Sequence, residues 1–272
     1  VSGGVTGTGN LTLQNNSATN SNLTLQSASV DNTGTITNSG SGAGATLISG
    51  GVGSHVTSIT QNSSTSALNI TTTAITVNSG GTTLIVGSGA STFTVSGGVT
   101  GTGNLVLNNN STTANGITLS TTSVNNTGTI TNSGTNTGAT LISALIGSNV
   151  TDVIQNSATS ALALSNTGNA YTGVTTITAG TLKLNAAGVI PDASAVTIAG
   201  TLDLAGRSET VGSIAGSGTI TSSTTGTPVL TAGGDGSSTS FSGVIQNGSA
   251  TSVSLTKAGA GVLTLGGSSA ST

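Results

Sequence analysis

The chain contains no cysteine, methionine or tryptophan, and only two prolines, two phenylalanines and one tyrosine among its 272 residues. Charge is almost as scarce. Three Lys and Arg, six Asp and Glu and a single His make charged residues 3% of the sequence, against roughly 25% in an ordinary soluble domain. Each shortage excludes something. Three cations cannot neutralise a run of phosphates, which argues against nucleic-acid binding. One imidazole and no thiol make no ligand set for a zinc, haem or iron–sulfur centre, so no metal or cofactor is expected. Too few side chains titrate for most acid–base chemistry, and the chain is not expected to be an enzyme. No disulfide can staple it, which is compatible with export and with the cytosol. The longest apolar run lies around Leu141–Ile146, far short of the ~18 residues of a membrane-spanning helix. A net charge of −3 sets up almost no long-range field to oppose association of like chains. The sequence opens at Val1 inside a repeat, with neither Met nor signal peptide, and reads as a processed or excised piece of a longer exported protein.

What the chain has instead is repetition. VSGGVTGTGNLTLQNNS from Val1 returns as VSGGVTGTGNLVLNNNS from Val95, and the offset of 94 residues continues without a gap. DNTGTITNSG at Asp31 meets NNTGTITNSG at Asn125, GATLIS recurs at Gly44 and Gly138, and 46 of the first 70 positions are identical across the pair. A looser third copy follows. GSIAGSGTITSS at Gly212 echoes GGVTGTGNLTLQ, VLTAGG at Val229 echoes TLISGG at Thr46, and GVIQNGSATSVSL at Gly243 echoes DVIQNSATSALAL at Asp152. The chain therefore divides into blocks 1–94, 95–168 and 169–272 of one continuous stacked array.

Within the blocks, short segments alternate apolar residues with Thr, Ser or Asn: NLTLQ (Asn10–Gln14), GTITN (Gly34–Asn38), TLIVG (Thr83–Gly87), TFTVS (Thr92–Ser96), GTLKLN (Gly180–Asn185), AVTIAGTLDLAG (Ala195–Gly206) and VLTLGG (Val262–Gly267). That is the pattern of strands with one face buried. Gly, Asn, Ser and Asp separate them at turn-like intervals. A sandwich wants large aromatics in its core, and only Phe93, Tyr171 and Phe241 are present. A barrel fixes its strand number, whereas a 94-residue repeat extends indefinitely. The expected fold is an all-β, right-handed parallel β-helix, or β-solenoid, whose narrow interior needs only stacked Leu, Ile, Val and Ala. Coils of about 20–24 residues give about a dozen turns and a rod of roughly 55–60 Å at ~4.8 Å per strand. Asn15–Asn16, Asn109–Asn110, Asn62 and Asn156 recur at turns. They fit either amide ladders between coils or the left-handed turn geometry that Asn tolerates.

The last third has a distinctive vocabulary. NAYTGVTTITAGTLKLNAAGVIPDASAVTIAGTLDLAG (Asn169–Gly206) runs into SETVGSIAGSGTIT (Ser208–Thr221), FSGVIQNG (Phe241–Gly248) and LTKAGAGVLTLGG (Leu255–Gly267). This resembles the autotransporter-associated β-strand repeat, also called the passenger-associated transport repeat. In that family a run like LTKxGxGxLTLxG is followed by NTYTGxTTIxxGTLxL. Residues 169–272 carry the likeness, and residues 1–168 look like a Thr- and Asn-rich variant. The resemblance implies a bacterial, secreted β-solenoid at the cell surface or in the extracellular space. It transfers no catalytic residues, and no outer-membrane barrel segment is visible.

Candidate sites have plain readings. His55 aligns with Asn149 in the second block, so the fold does not require an imidazole there. Asp203, Arg207 and Glu209 cluster in sequence, and Lys183 lies about one coil before Asp203, which predicts a surface salt bridge between coils. A glycosidase would need two acids 5–10 Å apart in a cleft. Asp235, in GGDG, stands alone and does not make a calcium turn. Gly7–Gly9 and Gly259–Gly261 precede strands, not helices, and are turns rather than phosphate cradles. Asn10, Asn62, Asn110 and Asn149 open Asn-x-Ser/Thr triplets that arise by chance in so biased a composition. No catalytic, cofactor or metal site is expected. The expected role is a structural unit of a bacterial extracellular fibre, sheath or surface appendage, self-associating by stacking. The alternatives are an adhesin passenger that binds surface glycans and, less favoured, a polysaccharide-acting enzyme.

Overall fold

A computed structural model describes residues 1–267 and the strand Ser269–Ala270. Among these residues there is no helix, and every strand pairing is parallel. The chain winds as a β-solenoid of about eleven turns, which at ~4.8 Å per turn makes a rod of roughly 53 Å. Two faces are continuous ladders. Sheet 1 runs from Leu11–Leu13 through Thr82–Val86 and Val150–Gln155 to Leu263–Leu265, and the long strand Val30–Asn38, which rounds a corner, links Val5–Thr8 of the third face to it, 13 strands in all. Sheet 2 has 12, from Leu23–Leu25 through Phe93–Val95 and Thr181–Leu184 to Ser269–Ala270. The third face is thinner. In the first two blocks it is essentially one column, Val5, Val30, Val52, Ile75, Val99, Val124 and Ile146, joined by single bridges and two short ladders, Val5–Thr8 with Val30–Thr33 and Ile75–Val77 with Val99–Gly101. In the last block it widens to Glu209–Val211, Val229–Ala232 and Ser254–Lys257.

The 94-residue repeat is four whole coils: the sheet 2 register steps 23, 22, 25 and 24 residues from Leu23 through Thr46, Leu68 and Phe93 to Ile117. Alternation along each strand sends one side chain in and the next out. Leu84, Leu105, Leu107, Ile130 and Val153 inside sheet 1, and Ile48, Ile70, Ile142 and Leu164 inside sheet 2, are 0% exposed. All three aromatics, Phe93, Tyr171 and Phe241, lie in this core. A coil this narrow leaves no room for a Cβ where backbones touch. At Gly34 it would sit 2.6 Å from the Gly9 carbonyl oxygen, and at Gly128, its copy, 2.5 Å from that of Gly103. Both glycines sit at a register shift in sheet 1.

The third block repeats the words of the first two but not their places. Thr46–Ile48 of TLISGG is in sheet 2, whereas Val229–Ala232 of VLTAGG is on the third face. Val153–Gln155 of VIQN is in sheet 1, whereas Val244–Gln246 of the later VIQN is in sheet 2. Leu11–Leu13 of TGTGNLTL is in sheet 1, and its echo Thr219–Thr221 is in sheet 2. Each echo has moved on by one face. The three sides make similar demands, an apolar–polar alternation between glycine corners, so a motif written for one side folds on the next.

Candidate functional site

The interior holds polar groups as well as aliphatic columns, and they are organised. Asn38 Nδ2 donates to Gln61 Oε1 on the next coil at 2.7 Å and to the Ser66 carbonyl at 2.9 Å, while Asn38 Oδ1 accepts from buried Thr46 Oγ1 at 3.0 Å. Gln61 Nε2 donates to the carbonyls of Ser63 and Ser66. The set recurs one period later: Asn132 to Gln155 at 2.7 Å and to Ser160 at 2.8 Å, with Thr140 on Asn132 at 3.0 Å. These amides satisfy the carbonyls of the corner between sheets 1 and 2, which burial would otherwise leave costly. The turn asparagines act differently. Buried Asn15 and Asn109 donate to carbonyls 30 residues on, at Ala45 and Ala139, and Asn16 and Asn110 accept from the backbone N–H of Ser41 and Thr135. The amide-to-amide contacts between coils thus sit at Asn38–Gln61 and Asn132–Gln155, and Asn15, Asn16, Asn109 and Asn110 bond to the neighbouring coil's backbone.

His55 is a surface residue, its side chain 62% exposed. Its Nδ1 lies 2.9 Å from Asp31 Oδ2, and its backbone N–H donates to Asp31 Oδ1 at 2.9 Å. That backbone bond is the foremost reason the Asp31 carboxyl titrates below its ordinary range. In the second block Asn149 N–H donates to Asn125 Oδ1 at the same 2.9 Å, so the turn is clasped equally well without either charge. A groove open to solvent runs alongside, lined by Ser54, His55, Thr76, Asn78 and Thr102. It holds no second titratable group.

Lys183 and Asp203 are direct partners in the sheet 2 register, but the expected salt bridge is not formed. Asp203 is 5% exposed. Its Oδ1 accepts from the backbone N–H of Ala205 at 2.9 Å and of Ser223, one coil on, at 2.8 Å. Two backbone donors at a buried corner take the carboxylate from a lysine whose ammonium is better hydrated. Glu209 also departs from a surface cluster. The alternation of Glu209-Thr210-Val211 turns Glu209 inward beside Val211, to 3% exposure, while Arg207 stays outside. Its two oxygens accept from Val189 N–H and Ile190 N–H of the preceding coil, each at 3.2 Å. Desolvation outweighs those bonds and pushes the carboxyl up to about 7. Tyr171 packs nearby with its hydroxyl 2.7 Å from Thr175 Oγ1, and burial raises it well above the ordinary phenol range. The period-2 pattern could have revealed the inward turn of Glu209, because it places Glu209 in phase with Val211. Asp235 is held below its ordinary range by hydrogen bonds, first from the Ser213 side chain, and its Oδ1 caps Ser237 N–H at 2.8 Å. Among the described residues no three His, Cys, Asp or Glu side chains converge as a metal site. Gly9 and Gly259 take positive φ of 119° and 64° between strands, whereas Gly7, at 106°, lies inside the strand Val5–Thr8 and not in the expected turn; no helix follows any of them.

Two buried amide oxygens, Asn32 Oδ1 and its copy Asn126 Oδ1, have no hydrogen-bond partner, and the first and last described coils bury their apolar side chains less fully than the coils between them. At one end Val5, Leu11 and Leu23 are half-buried; at the other Val262 is 63% and Leu265 53% exposed, with Leu255 and Leu263 half-buried. No family model matches the chain, and no curated protein or solved structure matches it.

Proposed function

We propose that the chain is a structural segment of a bacterial extracellular fibre, sheath or surface appendage, a rigid rod that lengthens by the stacking of solenoid coils. The observation that carries the proposal is the coil-to-coil continuity of the core: plain aliphatic columns run through the described coils, and the amide contact of the first repeat returns in the second. Stacked coils of this kind add further coils through the same nearest-neighbour contacts. The near absence of charge supports the reading, because nothing repels a like neighbour and salt has little to screen. The wording of residues 169–267, similar to autotransporter-associated repeats, supports an exported, bacterial setting. A structural role is favoured over a catalytic one because buried Glu209 and Asp203 are each spent on backbone N–H groups. Negative-stain microscopy of the purified 272-residue protein tests this. Straight rods that lengthen in multiples of roughly 53 Å as concentration rises are expected. Particles that stay single at every concentration, or turnover of a polysaccharide, would overturn it.

A further inference from the structure

The outer side of sheet 1 carries an unbroken rank of short side chains. The parallel register runs from Thr35 through Ser58, Thr83, Val106 and Thr131 to Ala215, one residue per coil over nine coils. Every member is Thr, Val, Ile, Ser or Ala, and each is partly or fully open to solvent. Two residues further along the first strands a second rank runs beside it: Thr12, Thr37, Thr60 and Ile85. Neither rank holds a charge. β-Branched side chains are stiff at χ1, so such a rank presents the same shape at each coil. The outer rank of sheet 2 is uneven by comparison. Leu47, Asn69, Thr94, Leu141 and Lys183 differ in length, and one is a cation. The longer rank of sheet 1 lies in the body of the rod, so it is present whatever adjoins the two ends.

We propose that a second copy of this chain packs face to face on sheet 1, outer rank against outer rank, holding two rods side by side. The strand backbones of sheet 1 are paired along the ladder, so covering the face buries no orphaned peptide group. Short β-branched side chains of facing sheets interdigitate at a sheet separation of ~10 Å. Threonine hydroxyls, each both donor and acceptor, can bond to one another across the contact. No ion has to be desolvated. The charge closest to the rank along these strands is Asp152, two residues before Ile154, and its Oδ1 already accepts from Val174 N–H at 2.9 Å. Eight steps of ~4.8 Å by two ranks of ~6.6 Å give a footprint of roughly 500 Å² per copy. A pair then buries about 1,000 Å², the lower bound for a specific interface. Single copies therefore pair weakly, and longer rods gain by repeating the contact. Because one patch meets itself, the pair has two-fold symmetry, and Thr131, midway along the rank, lies near its own copy.

Side-by-side pairing does not require end-to-end stacking, and the test separates them. Sedimentation of the 272-residue protein from roughly 10 μM to 1 mM should show the mean mass rising from 25.5 kDa, with rods lying in pairs in negative stain. Thr131→Lys brings two ammonium groups together at the centre of the pair and should weaken it at least tenfold. Thr94→Lys puts the same charge on the outer rank of sheet 2 and should leave pairing within twofold of wild type. Circular dichroism checks that both variants fold, and Thr83→Lys, on the same rank, replaces Thr131→Lys if that one does not. Wild-type rods that never lie side by side, or pairing weakened as much by Thr94→Lys as by Thr131→Lys, overturn the proposal. Rods that still lengthen in either case leave the stacking reading standing, and single particles at every concentration overturn both.

Discussion

Glu209 makes the stability of this solenoid depend on pH in a direction opposite to most carboxylates. The side chain is 3% exposed and its carboxyl is pushed from an ordinary 4.5 to about 7, chiefly by burial. A raised acid constant means that the folded state holds the proton where the unfolded state has lost it. Stability is therefore complete below pH 4.5, falls as pH rises between 4.5 and about 7, and is flat above. At ~1.4 kcal/mol per pH unit, the loss is about 3 kcal/mol. Asp31 and Asp235, both held below the ordinary carboxylate range by hydrogen bonds, shift away from this window. Urea unfolding followed by circular dichroism from pH 4.5 to 8 should show the wild-type midpoint falling across the range. Glu209→Gln, which has no proton to lose, should give a midpoint that stays level, with the two curves crossing. A Glu209→Gln curve with the same slope as wild type would place the pH dependence elsewhere and refute the burial argument.

Other perturbations test the inner contacts. Asn38→Leu leaves Gln61 Oε1 without its donor and takes one bond each from Thr46 Oγ1 and the Ser66 carbonyl, and should cost about 2–4 kcal/mol in urea unfolding. Gly34→Ala drives a Cβ to 2.6 Å from a backbone oxygen and should cost at least about 2 kcal/mol, read as a lower thermal midpoint; Gly234→Ala, which meets nothing within 4 Å and has no left-handed φ, should cost less than half as much. His55→Asn copies the second block's own turn and should stay within about 0.5 kcal/mol of wild type at neutral pH.

The solenoid was legible because its evidence is repeated. Alternation in Leu11–Leu13, Thr82–Val86 or Thr181–Leu184 marks an inward and an outward face at once, and a gapless offset fixes how many residues return the chain to its starting side. The sequence could not say which side a given strand occupies. The third block's echoes sit one face further round because all three sides ask for the same alternation. The fate of individual polar side chains was not legible. Lys183 and Asp203 were placed as neighbours by coil length, yet the carboxylate's choice of Ala205 and Ser223 N–H depends on the turn of one corner. Asn38 and Gln61 gave no local signal either; their pairing arises only when coils of 22 to 25 residues bring them into register.

Interchangeable sides have a consequence for how such a molecule changes length. A segment of roughly eight residues, one wall and one corner, can be gained or lost without breaking the hydrophobic stack, since the downstream chain simply resumes on the adjacent wall. Everything beyond that point then turns by about a third of a revolution. Growth in such increments would let a lineage steer a surface feature around the axis while the spine stays intact.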